Sequence, residues 1–260
     1  MKEKVYQRLI ELSNGKISSI LLKRITSSSF SKNLIHNFTK VYDIDMNEVS
    51  KDVNYFSSLQ DFFVRTLKEG VRPINHDEDC FISPVDAKIE SFGDIKCDAV
   101  FTVKNKYYSL HDLLGNAECA EKYINGKYIV FYLSPANYHR VHSPLDATVI
   151  RQFALGRKSY PVNQLGLKYG KKPISHNYRL ISELQYDEEK FFTLVKVGAM
   201  FVNSIELTNQ STMWKKGEEV GYFSFGSTVV LLFEKNTIKF TNNVQKGHTV
   251  KMGETIAIMV

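Results

Sequence analysis

The sequence predicts an α+β protein in which short N-terminal amphipathic helices precede a β-rich core, a hybrid of a sandwich and a small barrel. Apolar residues recur at helical spacing over the first 70 residues, whereas short β-branched and aromatic runs dominate from Phe81 onward. With 260 residues, 43% of them hydrophobic, the chain is long enough to bury a sizeable core. We place a boundary between a helical region, 1–75, and a β-rich region, 76–260, near the polar connector VRPINHDED.

The first 42 residues are basic and amphipathic, with eight Lys or Arg against two Glu. Asn14-Gly15 and the serine run 27–29 divide them into short helices. Basic amphipathic helices lie in a membrane interface when their cations meet anionic headgroups. The same pattern fits helices that pack on the protein's own core, and the residues alone leave both interpretations open.

Residues 44–70 are expected to form two further helices. Asp45 or Asn47 suits the cap of the first. Ser57 or Ser58 suits the cap of the second, which the pattern SSLQDFFVRTLKEG extends to Gly70.

The remaining segments predict strands. FISPVDAKIESFGDI indicates two short strands around Asp86, and KYIVFYLSP indicates a buried strand that ends at Pro135. KNKYYSLHDLLG indicates a strand followed by a short helix, and FGSTVVLLFE another buried strand. Gly247 and Gly253 fit tight turns between the short strands of the C-terminal segment.

The bulk composition excludes several classes of protein. A formal charge of +6 suits an acidic partner, either anionic lipid or nucleic acid. Cys80, Cys97 and Cys119 are widely spaced and contain no CxxC pair, which argues against a cysteine zinc site and a disulfide framework. No apolar run approaches the roughly 18 residues of a spanning helix, and the start lacks a signal-peptide pattern. We therefore expect an intracellular chain, soluble or peripheral.

Three side chains beside predicted strands are candidates for catalysis. Asp86 in SPVDAKI is suited to orienting a histidine, although a lone Asp more often bonds its own turn. His139 and His142 in YHRVHSP follow a buried strand. Their types suit acid–base chemistry or zinc ligation, and two ordinary surface histidines remain an equal alternative.

Gly226-Ser227 immediately precedes an apolar strand. The segment is not the G-x-S-x-G elbow of hydrolases, and most Gly-Ser-Thr triplets are simply turns. Taken together, however, Asp86, His142 and Ser227 provide an orienting acid, a base and a nucleophile.

This constellation resembles the bacterial phosphatidylserine decarboxylases, and the resemblance runs nearly end to end. It is carried, in order along the chain, by FFVRTLKEGVRPI, SPVDAKI, KNKYYSLHDLLG, YLSPANYHRVHSP, SYPVN, VGAMFVNSIE, KGEEVGYFSFGST and KGHTVKMGE. Two positions depart from the family's pattern. Ala87 stands where Gly usually follows the motif aspartate, and Phe225 stands where Leu usually precedes Gly-Ser-Thr.

The resemblance implies a zymogen that cleaves itself between Gly226 and Ser227. Ser227 would become a covalent pyruvoyl group, the site of the Schiff base with phosphatidylserine, and the products would be a β chain, 1–226, and an α chain, 227–260. Asp86 and His142 would activate Ser227, and His139 would assist decarboxylation or proton transfer. The reaction would yield phosphatidylethanolamine and CO₂ as a step of phospholipid biosynthesis, and would need no metal.

The resemblance also implies partners and a location. A phospholipid substrate favours the interfacial interpretation of the basic helices, so 1–75 becomes a membrane-associating region and 76–260 the catalytic domain. We expect a peripheral protein on the cytoplasmic side of the cell membrane that binds anionic lipid and no nucleic acid. The paired β and α chains would associate further as a dimer.

Three alternatives compete with this interpretation. A zinc hydrolase would use Asp86, His139 and His142 as ligands of a water-activating metal. A carrier module would explain the KGHTVKMGETIA turns, although no lysine stands clearly at a hairpin tip. A pyruvoyl decarboxylase acting on a soluble amine would share the chemistry but leave the basic N-terminus without a role.

Overall fold

The computed structural model describes residues 24–162, 164–199, 205–224 and 226–260. The described strands are β1 Cys80–Ile82, β2 Ala87–Asp94, β3 Val100–Val103, β4 Lys106–Ser109, β5 Lys127–Leu133, β6 Arg140–His142, β7 Ala147–Leu155, β8 Arg179–Asp187, β9 Lys190–Gly198, β10 Ile205–Glu206, β11 Met213–Trp214, β12 Glu219–Phe223, β13 Ser227–Phe233, β14 Ile238–Phe240, β15 Thr249–Val250 and β16 Thr255–Met259. The described α-helices are α1 Ile35–Val41, α2 Leu59–Phe63, α3 Leu110–Leu114, α4 Ala117–Glu121, α5 Gln164–Tyr169 and α6 Pro173–His176, and 3-10 turns span Ser29–Leu34 and Val53–Tyr55.

An open antiparallel sheet of eight strands organises the molecule, in the order β11-β7-β8-β9-β13-β5-β2-β15. β13 lies near its middle, paired along its whole length with β9 and β5. Every residue of β13 is buried, which explains its continuous apolar run, because a strand covered on both faces has no solvent side to alternate with.

Successive residues of β13 enter two different cores. Val229, Leu231 and Phe233 join the core that includes β1, β12 and β16, whereas Val230 and Leu232 join the core under α3 and α4. This is the two-residue period of a strand. It places Ser227 on the same face as Val229, towards the β12 side of the sheet.

The N-terminal part has a small core of its own, formed by Ile35, Val49, Phe56, Leu59 and Phe62. The Ser58 side chain caps α2 by accepting from the backbone N–H of Asp61, as predicted. The helix then ends at Phe63 rather than Gly70, and the helix expected after Asp45 is a turn closed by its side chain. Both predictions were wrong. The Asp45 side chain forms a local turn in place of a helix, and the chain after α2 pairs in extended form with residues 48–50, with Val49 opposite Leu67.

The α+β class with a β-rich core is confirmed. Strands flank Asp86, and β5 ends at Leu133, before the expected Pro135. Gly247 and Gly253 adopt positive φ values of 89° and 94° in turns, a conformation that suits glycine. The helices expected before residue 24 lie outside the described residues. Within the described ranges, no helix is both long and apolar enough to span a bilayer.

Candidate active site

Ser227 is the first residue of β13 and lies between Leu133 of β5 and Gly198 of β9. Its side chain is completely buried, and its Oγ has no hydrogen-bond partner among the described residues. A Cβ placed at Gly226 would meet no atom within 4 Å, so crowding alone does not require glycine there. Unpaired buried hydroxyls are uncommon in folded proteins, and the adjacent Thr228 Oγ1 is unpaired within the described ranges as well, so the observation makes Ser227 a candidate for chemistry.

His139, just before β6, has one ring nitrogen without a partner among the described residues. Its Nδ1 donates to the Asn137 carbonyl at 2.8 Å, so a neutral ring carries its lone pair on Nε2, which has no partner in the described part of the chain. Burial and the nearby Arg65 charge lower the pKa of His139 to about 3. The ring is therefore neutral at neutral pH, with a lone pair on Nε2 that no described residue occupies.

His142 is held at both nitrogens. Nδ1 donates to the Gly217 carbonyl at 2.8 Å, and Nε2 accepts from the Tyr138 hydroxyl at 3.1 Å. Burial lowers its pKa, opposed by the Gly217 hydrogen bond and by the charges of Glu219 and Asp86. The lone pair of His142 is thus available only when Tyr138 turns away.

Asp86 does not hold His142 as the sequence predicted. Its carboxylate accepts from Arg72 Nε at 2.9 Å, from Arg72 Nη2 at 2.5 Å, and from the backbone N–H of Met252 at 2.8 Å. The Gly217 carbonyl occupies the Nδ1 position that Asp86 was expected to fill. Asp86 acts on His142 through its charge, which raises the histidine's pKa.

An ion network surrounds this carboxylate. Arg72 also donates to Glu48 at 2.6 Å, and Lys251 donates to Glu48 at 3.0 Å. The Arg72 hydrogen bond lowers the pKa of Glu48 to about 2. The network joins the N-terminal region to the β-rich core and fixes the position of Asp86.

Helix α2 and the residues just after it contribute groups that the sequence reasoning missed. The Phe63 ring lies 4.1 Å from the His139 ring, centroid to centroid. Arg65 Nη2 donates to the Ala136 and Asn137 carbonyls, at 2.6 and 3.1 Å. Gln60 donates to the Ser224 carbonyl at 2.8 Å. These residues hold the loop that carries His139 and the chain just before Gly226-Ser227. Within a single sequence nothing distinguishes their polar groups from ordinary helix residues.

A cavity of about 280 Å³ lies beside the ion network, lined in part by Arg65, Arg72, Asp86 and Tyr138. A larger cavity of about 530 Å³, lined in part by His76 and Tyr186, contains none of the predicted site residues. In the described ranges, no three His, Cys, Asp or Glu side chains are arranged to hold a metal ion. The donor set expected of a zinc hydrolase is thus not assembled, because Asp86 is engaged by Arg72.

Comparison with known proteins identifies the family. The family model described as phosphatidylserine decarboxylase matches residues 59–258. This chain belongs to the phosphatidylserine decarboxylase family. The resemblance seen in the sequence motifs is confirmed, and the matched range contains α2, both histidines, Asp86 and the Gly226-Ser227 bond.

Full-length relatives agree. The chain is 49% identical over 255 residues to the phosphatidylserine decarboxylase proenzyme of Geobacillus sp. (strain WCH70), covering 98% of each chain. It is 50% identical over 255 residues to that of Anoxybacillus flavithermus, covering 98% of this chain and 96% of the relative. It is 46% identical over 260 residues to that of Bacillus mycoides, covering 100% and 99%. The word proenzyme in these names describes proteins that require processing.

Proposed function

We propose that this chain is a self-processing enzyme that decarboxylates phosphatidylserine to phosphatidylethanolamine and CO₂, using a pyruvoyl group made from Ser227. The observation that carries the proposal is the Ser227 hydroxyl, buried and unpaired at the start of β13 within the family-matched range. Leaving a buried hydroxyl without a partner costs stability, and a role in the chemistry would account for that cost at Ser227.

The cleavage step begins with proton transfer from Ser227 Oγ to a neutral histidine. Oγ then attacks the Gly226 carbonyl carbon, and the Gly226–Ser227 C–N bond breaks to give an ester. Removal of the Cα proton of residue 227 breaks the Cβ–Oγ bond and releases the Gly226 carboxylate. Addition of water and loss of ammonia leave a ketone at residue 227, so that chains 1–226 and 227–260 result.

The residues present fit a ketone at this position. Buried β-strand neighbours on both sides hold the backbone of residue 227 in place, and the His139 Nε2 has no partner among the described residues. The pyruvoyl group supplies a carbonyl that reacts with the substrate's amine and accepts the electrons left by CO₂. His139 would return a proton to that carbon, while Arg65 and Phe63 hold the imidazole in place.

The intact mass of the purified protein under denaturing conditions tests this proposal. We expect two species divided after Gly226, the smaller without a free N-terminal amine, and a single uncleaved species for Ser227→Ala. Ser182→Ala, which alters a buried serine elsewhere in the large sheet, should cleave normally. Active protein with an intact, unmodified Ser227 would rule the mechanism out.

The same measurement separates the two histidines. We propose that His142 with Asp86 serves cleavage and that His139 serves decarboxylation, so His142→Asn should stay uncleaved while His139→Asn is cleaved but inactive. The free Nε2 of His139 makes it the competing base for cleavage. The opposite pair of results would exchange the two roles.

We also propose that the N-terminal region binds the cytoplasmic face of an anionic membrane and that processed protomers dimerise. Three large apolar side chains of this region are markedly exposed: Phe30 by 74%, Val41 by 75% and Tyr55 by 79%. Apolar groups beside basic residues such as Lys32 and Lys40 suit an interface helix. This surface supports a membrane-associating role within region 1–75, while Arg65 and Arg72 join that region to the site in the catalytic domain, 76–260.

Vesicle binding tests the membrane proposal. Phe30→Ser with Val41→Ser should weaken sedimentation with vesicles containing phosphatidylserine, and should lower activity on vesicles more than on detergent-dispersed substrate. Tyr107→Ser, which removes an exposed aromatic of the β-rich region, is the control. Equal losses on both substrates would contradict an interfacial role for these side chains.

A further inference from the structure

One buried lysine stands on the strand next to Ser227 and has no part in the steps above. Lys196, near the end of β9, is completely buried, and its Nζ has no hydrogen-bond partner in the described part of the chain. Its Nζ lies over the ring of Trp214, 5.2 Å from the centroid. Burying an ammonium without a hydrogen-bond acceptor is strongly unfavourable, and the contact with the Trp214 ring offsets only part of that cost.

The strand register places this lysine next to Ser227. β9 and β13 are antiparallel, with Gly198 opposite Ser227 and Lys196 opposite Val229. Residues directly opposite one another share a face, as do residues two apart on one strand. Lys196 and Ser227 are therefore diagonal neighbours on one face, a separation of roughly 7–8 Å that a long side chain reaches across.

The surroundings keep this amine reactive. Val229 and Leu180, which flank Lys196 on the two neighbouring strands, are apolar and buried. Burial lowers the pKa of Lys196 to about 7, so a substantial fraction of the amine is neutral at neutral pH. Neutral, desolvated lysines are the ones that react with carbonyl carbons.

We propose that Lys196 condenses reversibly with the ketone carbon formed from Ser227, so that the processed protein rests with its two chains covalently joined. The inference rests on the proposed function, because only self-cleavage creates that ketone. The Nζ lone pair attacks the ketone carbon, a C=N bond replaces the C=O bond, and the oxygen leaves as water with the two amine protons.

The C=N bond to Lys196 would protect the ketone carbon until the substrate's amine replaces the lysine. When the substrate's amine attacks the same carbon, the C–N bond to Lys196 breaks, and Nζ leaves with the two protons given up by the substrate's nitrogen. No oxidant or further reactant is required. Exchange of one amine for another also avoids the free ketone, which would react with unrelated amines.

Reductive trapping tests the proposal. The processed protein is treated with cyanoborohydride, which reduces C=N bonds selectively, and is then analysed by denaturing intact mass and peptide mapping. The joined species expected is lighter than the uncleaved precursor by one NH, because ammonia is lost, one water enters and one leaves, and two hydrogens are added. Prior addition of excess ethanolamine should prevent the joining.

Lys196→Met is the informative variant, because it keeps the side-chain length in an apolar core, and Lys190→Met on the same strand is its control. We expect joining in the wild type and in Lys190→Met, with a cross-link between the peptides that hold residues 196 and 227, and none in Lys196→Met. Two separate chains in reduced wild type, or joining through another lysine, would overturn the proposal. A chain uncleaved before reductant is added would remove the proposed function and this inference together.

Discussion

Two parts of the site differ in whether their buried polar groups have partners. Around Asp86, the charges of Arg72, Glu48 and Lys251 are paired with one another. Around Ser227, its Oγ and the Nε2 of His139 are buried without partners among the described residues. The first arrangement fixes geometry, whereas the second keeps atoms free for reaction, at roughly 1–3 kcal/mol for each unsatisfied group.

The largest effect on stability is expected from removing Arg72 from the ion network around Asp86. Arg72→Leu leaves Asp86 without a charged partner and Glu48 with Lys251 alone, and removing one partner of a buried pair costs about 3–5 kcal/mol. Urea unfolding of the uncleaved Ser227→Ala protein measures this. Lys127→Met breaks a pair whose carboxylate, Asp94, is 76% exposed, and should cost about 0–1 kcal/mol. Equal losses would show that the Arg72 network does not hold the structure.

Arg65 links the two parts, and its removal should mainly affect catalysis. It is 4% exposed and donates to the Ala136 and Asn137 carbonyls next to His139. Loss of hydrogen bonds to a charged group, about 1.5–3 kcal/mol, predicts a fall in kcat of roughly 10- to 100-fold for Arg65→Gln.

The pH profile distinguishes the charge of Arg65 from its contacts. Its charge lowers the pKa of His139, so Arg65→Gln should raise that pKa and move the acid limb of activity to higher pH. Arg65→Lys keeps a charge but loses the planar set of guanidinium N–H donors. We expect it to leave the acid limb of the pH profile at its wild-type pH while kcat falls. Identical profiles for both variants would contradict an electrostatic role.

Local elements of the fold were easier to predict from the sequence than the partners of the site residues. The apolar runs of β5 and β13 and the Ser58 cap are local signals, and they led to the correct elements. The partner of Asp86 was missed, because Arg72 stands 14 residues away and only the fold brings the two together.

The free atoms were harder still to foresee. Ser227 and His139 could be named from their motifs, but the absence of partners at their reactive atoms is a property of packing. Lys196 reads in sequence as an ordinary polar residue within a strand. Only the register of β9 against β13 shows that it faces the core beside Ser227.

A smaller effect on stability is expected from protonation of His139 as the pH falls. His139 has a pKa of about 3 in the folded protein against about 6.5 when unfolded. Below pH 6.5 the unfolded chain therefore binds a proton that the folded chain does not, so stability falls as pH decreases from about 6.5 towards 3, by up to about 1.4 kcal/mol per unit. Urea midpoints of the Ser227→Ala protein between pH 7 and 5 measure this, and adding His139→Gln should flatten the slope. An unchanged slope would show that His139 is already charged in the folded state.

The smallest effect is expected from loosening the chain that leads to Ser227, measured as the rate of self-cleavage. Gln60 donates to the Ser224 carbonyl, three residues before Ser227, and so ties α2 to the chain that must be cleaved. Gln60→Leu removes one neutral hydrogen bond, worth about 1 kcal/mol, and should lengthen the half-time of self-cleavage by about fivefold. Gln152→Leu removes a comparable bond to Ser182 on a distant strand pair and should leave that half-time unchanged. If both variants cleave at the wild-type rate, the unpaired atoms around Ser227 are held by the sheet alone, and α2 positions only His139.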